Sequence, residues 1–244
     1  MISCTYPTNE VVEQLFQKFD LFERLGISGR KSIDHDLVKY WSYLYGVDTD
    51  TKAFVELKEY TRSEIIHPKR ELFADCLNEA IVNVQHHAYT YKDTGALFNQ
   101  KIEQHKWWAF SYRGESLLYV VIYDLGMGIP TSLRRDPRRR EYLRRIRQYK
   151  ARSDRFLIAD AIKSPLSATK LPYRGKGFPE MLEFSRGLEN GSFSVWSGMG
   201  GAEYSHKEKR LVSHELEVRL PGTLVVWRLP FKMEEHENLA NINT

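Results

Sequence analysis

The sequence predicts an α+β protein on three observations. Apolar residues recur at helical spacing from Val11 to Val84, the period shifts to strand-like runs from Trp107, and a last helical segment is followed by β-rich runs punctuated by glycine. In chain order, Val11, Val12, Leu15, Phe16, Phe19, Phe22 and Leu25 predict a first helix, with Asn9 as its cap. The segment Asp34 to Tyr45 (DHDLVKYWSYLY) predicts a second helix dense in aromatics, and Phe54 to Ile66 leads towards a third. A longer helix is expected from Glu71 to about His87, burying Leu72, Cys76, Leu77, Ala80, Ile81 and Val84. Trp107 to Arg113 and Leu117 to Asp124 read as strands joined by a hairpin turn at Gly114-Glu115-Ser116. Phe178 to Leu188 predicts a helix that tolerates Pro179 in its first turn. The last strands are Ser192 to Ser197, a run through Ala202 to Tyr204, Glu215 to Leu220 and Thr223 to Leu229.

A chain of 244 residues buries a core easily, and 42% hydrophobic against 28% charged residues with nine Pro is close to the globular average. That balance excludes disordered and collagen-like or mucin-like classes. No apolar stretch approaches the roughly 20 residues that span a bilayer. The start, MISCTYPTNEVVEQ, lacks a basic segment followed by an apolar one, so the expected location is the cytoplasm, with no membrane partner. Cys4 and Cys76 stand apart from any His/Cys cluster and are expected to pack rather than to bind metal. Charge is uneven. Between Thr131 and Arg155 there are eleven Lys or Arg against three acids, a local +8 within a net +4. A solvated helix face or loop accounts for such a block; phosphate binding or an acidic partner accounts for it equally.

The chemistry begins in DCLNEAIVNVQHHAY, residues 75 to 89, where Glu79, Asn83 and His87 stand at i, i+4 and i+8 and form one polar stripe on a helix. Taken alone, the stripe is an ordinary wet face. Further along, the strand ending at Tyr123 runs into Asp124-Leu125-Gly126-Met127-Gly128, a carboxylate followed by two glycines that let a ligand approach the backbone. Gly175-Lys176-Gly177 precedes a helix, where unpaired amides and the helix dipole favour phosphate oxygens. Gly222-Thr223 opens the terminal strand with a hydroxyl.

The ordered set E-x-x-x-N, D-x-G-x-G, G-x-G and G-T resembles the GHKL ATPase superfamily of gyrase-type topoisomerases, mismatch-repair ATPases, histidine kinases and anti-sigma-factor serine kinases. The resemblance spans roughly residues 70 to 230, and the His-Ala-Tyr ending at Tyr89 is similar to the anti-sigma-factor kinase form of the first motif. It implies a two-layer sandwich, a mixed and mainly antiparallel sheet covered on one face by helices, with ATP and Mg²⁺ between. Residues 66–233 would form this domain, 1–65 a mainly helical N-terminal extension and 234–244 a polar tail. By the resemblance, Asp124 accepts from the adenine amine with Thr223 in support, and Gly126 and Gly128 pass close to the nucleotide. Asn83 offers its amide oxygen to Mg²⁺. Gly175 and Gly177 frame the phosphates, Lys176 contacts them and His87 walls the site; a solvated loop lysine is the alternative for Lys176.

Glu79 resembles the superfamily's general base. An imidazole attacks phosphorus with its own lone pair, whereas water or a serine hydroxyl gains from losing a proton, so Glu79 favours an oxygen nucleophile. Residues at about 130–174 occupy the place of the family's ATP lid, and Arg134, Arg135 and Arg174 are candidates for phosphate contacts. The expected function is an ATP-binding, Mg²⁺-dependent ATPase or serine-type protein kinase acting on a partner protein. Two alternatives stand beside it: an ATP-gated interaction switch with little turnover, and a nucleic-acid-associated ATPase working through the arginine-rich lid. Three departures from the pattern bear on this reading. The lid is longer than in compact anti-sigma-factor kinases, Phe178-Pro179 replaces a glycine-leucine continuation, and a hairpin is inserted before Gly222.

Overall fold

Asn9 starts the first helix by accepting a hydrogen bond from Val12 N at 3.1 Å, which answers one amide that a helix N-terminus leaves unpaired. The computed structural model describes residues 5–47, 51–64, 70–89, 106–114, 116–135, 153–163 and 177–230, with the backbone alone at 51, 62–64, 70, 86 and 87. Helix α1 spans Glu10–Lys18, followed by the short α2 (Leu21–Arg24) and α3 (Asp36–Lys39). Replacing Asn9 with Ala is expected to cost about 1 kcal/mol, read as a lower urea midpoint with unchanged slope.

Strand β1 (Trp41–Val47) corrects the helix expected over Asp34 to Tyr45. Only Asp36–Lys39 is helical there. Trp41, Tyr43 and Tyr45 alternate with Ser42, Leu44 and Gly46, a period of two that a pairing partner makes decisive. That partner is β2 (Lys106–Arg113), which in turn pairs with β3 (Leu117–Asp124). The segment before residue 66 thus gives the sheet an edge strand.

Helices α4 (Thr51–Glu64) and α5 (Arg70–Asn83) follow β1, and α5 runs directly into a π-helical turn at Val84–Ala88. After β3 come α6 (Ile129–Arg135), α7 (Asp154–Lys163), α8 (Gly177–Arg186), β4 (Ser192–Ser205) and β5 (Arg210–Pro230). The five strands lie in the order β1-β2-β3-β5-β4, every neighbour antiparallel. The four terminal strands expected from the sequence are two long ones. Glycines taken as breaks only shift the register, at Ser197/Gly198 and Gly198/Gly200, as β-bulges do. The hairpin expected ahead of Gly222 is present, turning between Ser205 and Arg210.

One core joins α5, α7 and α8 to one face of the sheet. From α5 come Phe73, Cys76, Leu77, Ala80 and Ile81, a stripe at i, i+3, i+4, i+7 and i+8; from the strands come Trp107, Leu118, Val120, Ile122, Phe193, Val225 and Trp227. Leu72, expected in that stripe, is 45% exposed because it lies one position off it. Cys76 is buried and its thiol is pushed up to about 12 by that burial, consistent with a packing role. Helices do not cover one face only. Phe19, at the end of α1, packs on Trp41, Tyr43 and Phe110 across the opposite face, with ring centroids 5.4 to 5.9 Å apart. Among the described residues no helix is long and apolar enough to cross a membrane.

Candidate functional site

Asp124 ends β3 on the core face, only 5% exposed and in register with Thr223 of β5. Its Oδ1 accepts from Gly126 N at 2.8 Å, the local turn that Asp favours, and Thr223 hydrogen-bonds it as well. Burial nevertheless dominates, pushing the carboxyl up to about 7. Gly222, one residue before Thr223, has φ +73°, and a Cβ there would collide with Asp124 O, so only glycine lets β5 pass this close to β3.

The π-helical turn brings the end of α5 to the same place. Met127 N donates to Ala88 O at 2.8 Å, and Gly126 lies against Ala88 so closely that a side chain would overlap it. Tyr89 fastens the junction, donating to Lys106 O at 2.8 Å and accepting from Leu125 N at 3.2 Å. Such single-turn π segments add a residue to the helix register.

At the other end of this stretch, Glu79 and Asn83 face the first residue of α8. A Cβ on Gly177 would stand 2.8 Å from Glu79 Oε2 and 3.5 Å from Asn83 Nδ2. The first amides of α8 have no intrahelical acceptors, and the helix dipole adds positive potential there. Asn83 Nδ2 is buried without a hydrogen-bond partner among the described residues. Glu79 is held above the ordinary carboxylate range, first by burial and then by the charges of Glu180 and Asp75. From Glu79 to Ala88 the helix spans roughly 13 Å at about 1.5 Å per residue.

Glu79, Asn83 and Gly177 therefore form one cluster, and Asp124, Gly126, Gly128 and Thr223 another, linked by the end of α5. The side chain of His87, together with Gly175, Lys176 and Arg174, lies outside the described residues, as do most of residues 130–174 and the tail at 234–244. Arg134 is engaged elsewhere: it donates to Asp154 Oδ1 at 2.6 Å, while Asp154 Oδ2 accepts from Met199 N at 2.8 Å, tying α6, α7 and β4 together. Among the described residues no group of three or more His, Cys, Asp or Glu is arranged to hold a metal, so a cation here would depend on amide oxygen and on the ligand's own oxygens.

Two contributors escaped the sequence reading. Tyr89 was visible in the His-Ala-Tyr ending, but its hydrogen bonds were not. Ser197 carried no local signal; its hydroxyl donates to Gly222 O at 2.6 Å and accepts from Ile129 N at 3.0 Å. An open groove of about 300 Å³ lies on the opposite sheet face, lined by Trp41, Phe110, Ser111, Tyr112, Tyr119 and Val121, away from both clusters. No family model matches the chain, and no curated protein matches it.

Proposed function

We propose that this chain is an ATP-binding protein of the GHKL type that, with Mg²⁺, hydrolyses ATP or transfers a phosphoryl group to a hydroxyl on a partner protein. The observation that carries this reading is convergence. Glu79 and Asn83, the Asp124 turn, Gly177 and Thr223 are scattered over the sequence yet gather along one stretch of α5 and its π-helical turn. The antiparallel sheet with α5, α7 and α8 on one face supports the same fold assignment.

The residues fit the group. Asn83 Nδ2 and the N-terminal amides of α8 are donors that suit phosphate oxygens at one end, where Asn83 Oδ1 is the oxygen that would hold a hard cation. Asp124 and Thr223 suit the adenine amine at the other, and a guanine carbonyl would meet the Asp124 carboxylate unfavourably. When bound, ATP supplies the transferable phosphoryl group. Glu79, held at raised basicity beside Gly177, takes the proton from an attacking oxygen. Gly175 is proposed to frame the phosphates, Lys176 to contact them and His87 to wall the site. A second reading, an ATP-gated switch without turnover, draws on the Arg134–Asp154–Met199 tie, which joins the flanks of the basic run to β4. Turnover separates the two.

Calorimetric titration with ATP and ADP, with and without Mg²⁺, tests the site. Wild-type binding should strengthen with Mg²⁺, and Asp124→Asn should weaken it at least about tenfold, the scale of one hydrogen bond to a charged group. No binding at millimolar nucleotide would refute the proposal.

A further inference from the structure

Ser197 stands where β4 leaves the core, at 0% exposure. It is in register with Thr223, which is itself in register with Asp124, so three polar residues share one cross-strand row on the core face. The β4–β5 ladder breaks beside it: Ser197 pairs with Thr223, but Gly198 pairs with Leu220, leaving Pro221 and Gly222 without ladder partners. Gly222 O therefore needs another donor. Ile129 N, the first amide of α6, needs another acceptor. A hydroxyl has one proton to give and lone pairs to accept with, and Ser197 Oγ answers both, at 2.6 and 3.0 Å. The fit is close: a Cβ on Gly128, whose φ is +78°, would stand 2.6 Å from that oxygen and 3.0 Å from Gly222 O.

The geometry points to Ser197 as a positioning residue that fixes the Asp124–Gly128 turn against the Gly222–Thr223 step, and so sets the separation of the two groups proposed to read the base. This inference rests on the nucleotide reading above. Ser197 touches neither Glu79 nor Asn83 among its hydrogen bonds, and that phosphate end is held separately through α5 and α8. Removing the hydroxyl orphans a half-buried donor, Ile129 N, and a buried acceptor, Gly222 O, at one end of the site only. Small displacements of recognition groups are costly, so the base end should suffer and the phosphate end should not.

The test compares ADP with Mg²⁺-tripolyphosphate, which has no base, by calorimetry on wild type, Ser197→Ala and Ser197→Cys, with circular dichroism to verify folding. Ser197→Ala should lose tenfold or more in ADP affinity while tripolyphosphate affinity stays within about twofold. Ser197→Cys, whose thiol is a weak donor and acceptor, should fall between and serves as the measured variant if the alanine chain does not fold. Parallel weakening of both ligands would mark a merely structural hydroxyl and overturn the inference. Unchanged ADP affinity in the variants would overturn it alone, whereas a wild type that binds tripolyphosphate but not ADP would sink the adenine reading and this inference with it.

Discussion

Glu79→Gln is expected to lower turnover about 10²–10⁴-fold while leaving ATP and ADP affinity within about twofold. Gln keeps the size of the side chain and an oxygen for hydrogen bonding but cannot take a proton at neutral pH. The packing against Gly177 is preserved, so the loss should fall on the chemical step rather than on binding. Burial first, with Glu180 and Asp75 in support, holds the Glu79 carboxyl above its ordinary value. A base must be ionised to act, so the rate should rise with pH through that raised value, and the acid limb of the profile should sit above that of an ordinary glutamate. Equal rates for wild type and variant would remove Glu79 from the chemistry and favour the switch without turnover.

Asp124 should make the ligand-free protein less stable as pH rises through neutrality. Its folded value is about 7 against an ordinary value of 3.8, because burial penalises the charged form. The folded state therefore binds more protons than the unfolded chain between those values. Stability from this group is full below about pH 4 and is lost as pH rises towards and through 7. Between pH 5 and pH 8 the loss is roughly 2–3 kcal/mol at about 1.4 kcal/mol per unit. Other groups titrate in the same window, so the measurement is the difference between wild type and Asp124→Asn in urea unfolding at the two pH values. That difference should shift towards the variant at pH 8, and a flat difference would contradict the buried, protonated carboxyl. Binding of ADP near neutral pH should also release protons, visible as a dependence of calorimetric heat on buffer ionisation.

Much of this was legible in the sequence where local pattern and tertiary demand agree. The α5 stripe from Phe73 to Ile81 follows helical spacing, and the β2–β3 hairpin follows its turn residues. Trp41 to Val47 was not legible, because an aromatic-rich heptad suits helix or strand until β2 is there to pair with it. Motif order marked Glu79, Asn83, Asp124 and Thr223. Ser197 could not be marked, since its role arises from a ladder break that leaves Gly222 O unpaired across β4 and β5. Arg134 was suggested by its nearness in sequence to the glycine turn, yet α6 carries it to the N-terminus of α7, where Asp154 holds it.

That last contact joins the two residues that flank the densest positive charge of the chain. Arg134 and Asp154 form a clasp, and Asp154 fastens the clasp to Met199. The clasp residues lie outside the run from 136 to 152, so the tie between α6, α7 and β4 is made without any residue of that run. Substitutions within that interval therefore remove no partner of the clasp, since Arg134, Asp154 and Met199 all stand outside it.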